Sequence, residues 1–229
     1  MPLPENVENL QRLSAKNVIY QALCEWIISG TLQPGEKLVD TEVAKRFNVS
    51  RTPVREAFQL LESQKLIQVV PGCSTVVAGI DRTDIEKCYR VLAELQALGA
   101  FLSCSRLTEA ELAELERIHA AFASACLENR ASEAVAWDNR FHENILHAAG
   151  NEYLEDFSRV MILHIQRIKY HYFQFDQLRC TSARHHREIL DALESRDAEL
   201  AQQRLRNHWL YVMKRSIEDV MAEDVPPKK

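Results

Sequence analysis

A mainly α-helical chain in two parts is predicted: a small three-helix unit ending in a β-hairpin, followed by an all-helical bundle. Three observations carry this reading. Only 6 Gly and 7 Pro occur in 229 residues, too few turn-formers for a many-stranded sandwich or barrel, which needs a turn about every 8–12 residues. Two neighbouring β-branched runs, Leu66-Ile67-Gln68-Val69-Val70 and Thr75-Val76-Val77, flank Pro71-Gly72-Cys73-Ser74 and signal a hairpin. From residue 81 onward the apolar residues recur only at helical spacing.

In the first helix Ile19, Leu23, Trp26 and Ile27 share one face, and Gly30 stops the helix before the turn Leu32-Gln33-Pro34-Gly35. A short second helix is expected with Asp40 as its cap and Val43, Ala44 and Phe47 facing inward. Beyond a turn at Asn48, Ser50 is placed to cap a third helix. Pro53 is tolerated there because first-turn amides have no intrahelical partner to lose. On that third helix Val54, Ala57, Phe58 and Leu61 form the buried stripe, which leaves Arg51, Thr52, Arg55 and Gln59 on the opposite face.

In the second part, Thr83 to Glu86 and Thr108 to Glu111 both read as capping boxes, in which a Thr side chain and a Glu carboxylate satisfy each other's backbone donors. Further helices are expected over residues 132–149, 152–171, 182–193 and 198–220. The segment 76–82 is the expected linker, giving domains over 10–78 and 82–222. No repeat at solenoid periods and no low-complexity segment is present.

Composition narrows the function. No apolar run approaches the ~18–20 residues of a membrane span, and Glu5 and Glu8 interrupt the N-terminus where a secretory signal would need an apolar core. Six cysteines stand far apart with no C-x-x-C pair, which argues against a zinc knuckle or disulfide framework. A reducing cytoplasm is the expected compartment, with no membrane partner. The net charge of −5 is unevenly spread: residues 1–80 hold 8 basic and 8 acidic side chains, leaving 20 and 25 for the remainder. The N-terminal part therefore does not share the acidity that would oppose nucleic-acid binding.

A helix, a tight turn and a second helix opening on small polar and Arg residues, followed by a hairpin, meets the requirements of a winged helix-turn-helix. Arg51 and Arg55 are the expected base readers, because an Arg fork pairs with guanine in the major groove. Thr52 and Gln59 are secondary readers, the amides near Ser50 suit a phosphate, and Lys45 and Arg46 suit the DNA backbone. The plain alternative is a solvated amphipathic helix. The stretches Leu32-Gln33-Pro34-Gly35-Glu36-Lys37-Leu38 and Phe47-Asn48-Val49-Ser50-Arg51-Thr52-Pro53-Val54-Arg55-Glu56-Ala57 resemble the GntR family of bacterial transcription regulators over residues 15–80. The resemblance departs at the wing tip, where the family usually carries an Arg-Gly pair and this chain has Gly72-Cys73.

In the second part, Asp138 and His142 stack on one helical face that Ile145 and Leu146 turn inward. His186 shares a face with Ile189, Leu190 and Leu193, and His208 shares one with Ala201, Leu205 and Val212. Each histidine taken singly is an ordinary core residue. Together, three imidazoles and one carboxylate make a borderline ligand set for Zn, Ni, Fe or Mn, with a position open for water or a ligand oxygen. His185 is the competing ligand on its helix, on a less apolar face with Glu188 and Ala192. His147 is offset about 140° from His142 and should point elsewhere. His164, Arg167 and His171 share a face with Val160 and Ile168. Arg167, together with Arg90, is a candidate clamp for a carboxylate, the alternative being a mixed polar edge.

The runs Arg90-Val91-Leu92-Ala93-Glu94, Asp138-Asn139-Arg140-Phe141-His142, Ala148-Ala149-Gly150-Asn151, His186-Arg187-Glu188-Ile189-Leu190 and Asp197 through His208 resemble the FCD effector domain of the FadR-type GntR branch over residues 82–222. That resemblance implies one divalent metal per chain on Asp138, His142, His186 and His208. The acyl-CoA-binding member of the branch lacks this set, so a fatty acyl effector is not implied. The expected protein is a homodimeric repressor that binds a pseudo-palindromic double-stranded DNA operator and senses a small organic acid, with zinc as the expected metal and no catalytic residues. Three alternatives stay open: a metal-dependent enzyme, a regulator whose signal is the metal itself, and a metal that only staples the bundle.

Overall fold

The computed structural model describes residues 14–70, 74–79, 82–172 and 176–223. The chain divides into two compact units at Gly79 and Ile80.

The first unit is built from α1 (Ala15–Ile28), β1 (Lys37–Leu38), α2 (Asp40–Phe47), α3 (Arg51–Ser63), β2 (Ile67–Val70) and β3 (Ser74–Val77). Most of the expected core is buried: Ile19, Leu23 and Ile27 of α1 and Ala44 of α2 pack with Val54, Ala57, Phe58 and Leu61 of α3, whereas Trp26, Val43 and Phe47, also expected inward, are half-buried. Ser14 caps α1 by accepting from the Asn17 amide. The turn between α2 and α3 rests on Asn48, whose left-handed backbone (φ 53°) lets its amide reach the Ala44 and Lys45 carbonyls. Asn tolerates that region better than most side chains, which is why the chain can reverse here without glycine.

β2 and β3 pair antiparallel with Ile67 opposite Val77 and Val70 opposite Ser74. The wing tip, residues 71–73, lies outside the described residues, so the Gly72-Cys73 departure has no structural account. A third strand joins them, because β1 pairs with β3 through Lys37 opposite Val76 and Leu38 opposite Thr75. Gly35, at φ +81°, directs its amide to the Val77 carbonyl at 2.9 Å and starts that pairing.

The second unit is α4 (Arg82–Cys104), α5 (Glu109–Leu127), α6 (Ala131–Ala148), α7 (Glu152–Tyr172), α8 (Asp176–Glu194) and α9 (Ala198–Glu223). Among these, α4 and α9 share the largest interface, and α5 packs on α6 and α8. The core runs through Tyr89, Leu92, Ala93, Leu115, Phe141, Ile145, Ile165, Ile189, Leu190, Leu205 and Trp209. No helix among the described residues is long and apolar enough to cross a membrane.

Three local expectations are corrected. Asp40 is the first helical residue of α2 and Val39 occupies the cap position without a side-chain bond. α4 already runs from Arg82, so Thr83 sits inside the helix, and Glu86 pairs with Arg90 at 2.7 Å one turn on. α8 begins at Asp176, ahead of the expected start near residue 182.

The second capping box does form. The Thr108 amide donates to Glu111 Oε2 at 2.7 Å, and Thr108 Oγ1 accepts from the Glu111 amide at 3.2 Å. A Thr108→Ala substitution is therefore expected to lower unfolding free energy by about 1 kcal/mol in a urea titration. An unchanged midpoint and slope would show that the cap contributes nothing to α5.

Candidate nucleic-acid interface and metal centre

The buried stripe of α3 leaves Arg51, Thr52, Arg55 and Gln59 exposed, as the period requires. Ser50 is the N-cap residue in extended conformation, with no side-chain cap bond, so the first-turn amides of α3 keep unsatisfied donors suited to an anion. Lys45 and Arg46 are exposed near the end of α2, and the Arg46 guanidinium lies 5.1 Å from the Trp26 ring centroid. That contact holds the guanidinium itself over the ring face, in an exposed side chain.

Asp40 has a different role from the cap it was expected to be. Its Oδ2 accepts from Arg51 Nε at 3.2 Å, Arg51 Nη2 at 2.8 Å and Arg55 Nε at 2.9 Å. These hydrogen bonds, Arg51's first, hold the Asp40 carboxyl below its ordinary range, so it is ionised at neutral pH. Between α3 and the wing strands runs a groove of about 510 Å³ whose lining includes Leu38, Asp40, Arg55, Gln59, Val69 and Thr75.

In the second unit, Asp138 and His142 of α6, His186 of α8 and His208 of α9 converge. All four are buried, and one donor atom from each lies within 4.8 Å of the others. Asp138 Oδ1 is 3.3 Å from His186 Nε2 and 3.9 Å from His142 Nε2. The three imidazole centroids stand 5.0 to 5.2 Å apart. An ion with bonds of about 2.0–2.2 Å spans ligand pairs of roughly 3–4 Å, so small side-chain adjustments close this set around one cation.

The donor chemistry fits as well. Burial, and then repulsion from His142 and His186, hold the His208 pKa well below its usual value, which keeps that imidazole neutral and able to ligate. His208 Nδ1 is buried with no hydrogen-bond partner among the described residues, an arrangement that costs free energy unless something binds there. An apolar wall surrounds the set: the Phe141 ring stacks on His186 at 4.2 Å, Phe122 lies 4.7 Å from His186, and Trp209 lies 4.7 Å from His142. Such a wall lowers the local dielectric and strengthens any charge held inside.

α6 carries two of the four ligands, and its end is fixed by Gly150 at φ +60° and by Arg106, whose guanidinium donates to the Ala149 carbonyl. A Cβ at Gly150 would displace only the flexible end of Arg106, so it is the left-handed backbone that favours glycine here.

Residues 15–77 match the family described as "Bacterial regulatory proteins, gntR family", and residues 87–210, more than half of the chain, match the FCD domain. The chain belongs to the GntR family and carries an FCD domain. It is 28% identical over 193 residues to the HTH-type transcriptional regulator YdhC of Bacillus subtilis (strain 168), covering 83% of this chain and 85% of that one. It is 26% identical over 206 residues to the HTH-type transcriptional repressor RspR of Escherichia coli (strain K12), covering 90% of each. The solved structure of E. coli McbR/YncC shares the fold, with a TM-score of 0.77 at 20% identity over 91% of this chain and 100% of that one.

In this GntR regulator the structure separates the two arginines expected to act together. Arg167 is buried on α7, and burial lowers its pKa. Arg90 is 62% exposed and paired with Glu86, because Tyr89, Leu92, Ala93 and Gln96 occupy the inward face of α4. Arg90 is therefore not part of the interior. His147, 82% exposed and 3.5 Å from Glu155, points away from the centre as expected. His185 does not join the four; its half-buried ring stands 5.6 Å from His208 and 5.0 Å from Tyr211. The side chains of Ile168 and His171 lie outside the described residues.

Two polar residues escaped the sequence reading. His119 of α5 lies 6.4 Å from His186, ring to ring, and burial lowers its pKa. Gln96 of α4 is fully buried, and among the described residues neither amide atom has a hydrogen-bond partner. The helical period from Tyr89, Leu92 and Ala93 places Gln96 inward and could have found it. Nothing local in the sequence brings His119 to His186.

Proposed function

We propose that this GntR regulator is a homodimeric repressor whose FCD domain holds one divalent metal on Asp138, His142, His186 and His208 and uses it to bind a small carboxylate metabolite. The buried three-histidine, one-aspartate set carries the reading. When bound, the metal supplies a Lewis-acidic position for a carboxylate oxygen. Arg167, a buried cation on α7, suits the remaining oxygen, since its fork is made for carboxylates. Arg51 and Arg55 read guanine edges, Thr52 and Gln59 contact neighbouring bases, and Lys45, Arg46 and the Ser50 turn hold the DNA backbone. Two such heads must occupy major grooves about 34–36 Å apart, so a small change in the placement of one head releases a half-site. No catalytic role is assigned. Zinc is the metal expected on purification, with nickel, iron or manganese as alternatives.

The test is fluorescence anisotropy on a duplex enriched by the protein from a randomised pool, titrated with di- and tricarboxylates in metal-replete and chelated protein. One carboxylate should weaken binding by about 5-fold or more in the metal-replete protein alone, the range of ordinary allosteric coupling. Arg167→Lys should blunt that response. A shift driven by metal with no carboxylate present would make the metal the signal, and turnover of a carboxylate without DNA would make the protein an enzyme.

A further inference from the structure

We propose that Asp40 is a positioning residue that sets base specificity, by holding the guanidinium groups of Arg51 and Arg55 in fixed orientation through one carboxylate oxygen. The inference rests on the assignment of α3 as the DNA-reading helix.

The geometry supports it at three points. First, one oxygen accepts from both arginines: Oδ2 of Asp40 lies 2.8 Å from Arg51 Nη2 and 2.9 Å from Arg55 Nε. Arg51 and Arg55 stand one helical turn apart, and two exposed cations at that spacing repel each other. The shared carboxylate offsets the repulsion and removes much of the rotamer freedom that two long side chains otherwise bring to an interface.

Second, the choice of donor atoms matters. Arg55 uses Nε, and among the described residues its two terminal nitrogens make no hydrogen bond. Arg51 uses Nε and Nη2, leaving Nη1 likewise unengaged. Pairing with guanine O6 and N7 uses the terminal end of the fork. Asp40 thus holds Arg55 from behind, with both terminal nitrogens presented to a base, and holds Arg51 along one edge, with Nη1 and the second Nη2 proton left for a base.

Third, exposure runs in the right direction. The arginine side chains are 52% and 62% exposed, whereas Asp40 is 21% exposed. The anion sits behind the cations and beside the groove that joins α3 to the wing strands. A carboxylate placed there also opposes phosphate, which disfavours binding that ignores sequence. Flexible arginines without this partner would still neutralise phosphates, and affinity would persist while discrimination fell.

The experiment is selection by the full-length protein from a pool of duplexes with a randomised core, followed by sequencing. It compares wild type with Asp40→Asn, Asp40→Glu, Arg51→Ala and Arg55→Ala. The two arginine variants mark the base-pair columns those side chains read. Asp40→Asn is expected to flatten the same columns, leave the others sharp, and reduce the affinity ratio between the wild-type consensus duplex and a shuffled duplex about tenfold. Asp40→Glu, which keeps the carboxylate, is expected to restore part of that ratio. Unchanged columns in Asp40→Asn overturn the proposal. Equal weakening of every column overturns it too, since that is the mark of a damaged domain. A wild-type protein that enriches no sequence would instead remove the DNA-reading assignment on which the inference rests.

Discussion

About one divalent ion per chain is expected in the purified wild-type protein by mass spectrometry, and essentially none in the variant combining His186→Ala with His208→Ala. The reason is the number of donors left. Of the four converging side chains, removing two imidazoles leaves Asp138 and His142 on a single helix, and two ligands do not hold a borderline divalent ion against solvent. His185 and His119 stand outside the set, at 5.6 and 6.4 Å ring to ring from the two histidines removed. The aromatic wall of Phe122, Phe141 and Trp209 does not supply replacements. Equal metal content in both proteins would place the ion elsewhere and dismantle the proposed centre.

The same loss should appear in stability, with a definite pH sign. A bound ion stabilises the folded chain by mass action, so chelation should lower Tm. In the metal-free protein His208 is held neutral when folded, whereas in the unfolded chain it takes up a proton near its ordinary pKa. The unfolded state then binds more protons as pH falls below about 6.5, and stability falls with it, by on the order of 1 kcal/mol per pH unit at most for this one group. A chelated protein as stable at pH 5.5 as at pH 7.5 would contradict the burial of a neutral His208. If chelation lowers Tm while no carboxylate alters DNA affinity, the metal is a staple rather than part of a sensor.

Much of this was legible because it depends on short-range periodicity. Val54, Ala57, Phe58 and Leu61 fixed which face of α3 is buried, and that alone determined the exposed set. The Asp138 to His142 spacing and the apolar partners of His186 and His208 likewise placed all four inward. That three inward faces meet at one level was not legible, because it depends on helix lengths and crossings that no local spacing encodes. Asp40 was misread for a related reason. A carboxylate before a short helix looks like a cap, yet two guanidinium groups eleven and fifteen residues away draw it more strongly than one backbone amide. Thr83 was misread as a cap because α4 starts already at Arg82, and Glu86 Oε1 accepts from Arg90 one turn on. Strand β1 has two residues, too few for any alternation to show. It pairs because the Pro34-Gly35 turn delivers Lys37 and Leu38 to the edge of the wing.

Arg51→Ala is expected to reduce affinity for the selected operator duplex by roughly 10- to 100-fold, the range of one good guanine pair, and to relax the preference at the base pair it reads. Binding to a shuffled duplex should fall far less, because phosphate contacts from Lys45, Arg46 and the first turn of α3 persist. The substitution also leaves Arg55 as the only arginine on Asp40, so the remaining fork keeps its anchor and the second column should stay sharp. In Arg55→Ala the pattern should reverse. Stability should change little in either variant, since both side chains are exposed and surface ion pairs contribute about 0–1 kcal/mol. Unchanged Tm together with a lost base preference would therefore assign the effect to recognition. An Arg51→Ala protein that retains both the affinity and the preference of wild type would show that α3 is not the reading helix, whatever its exposed face suggests.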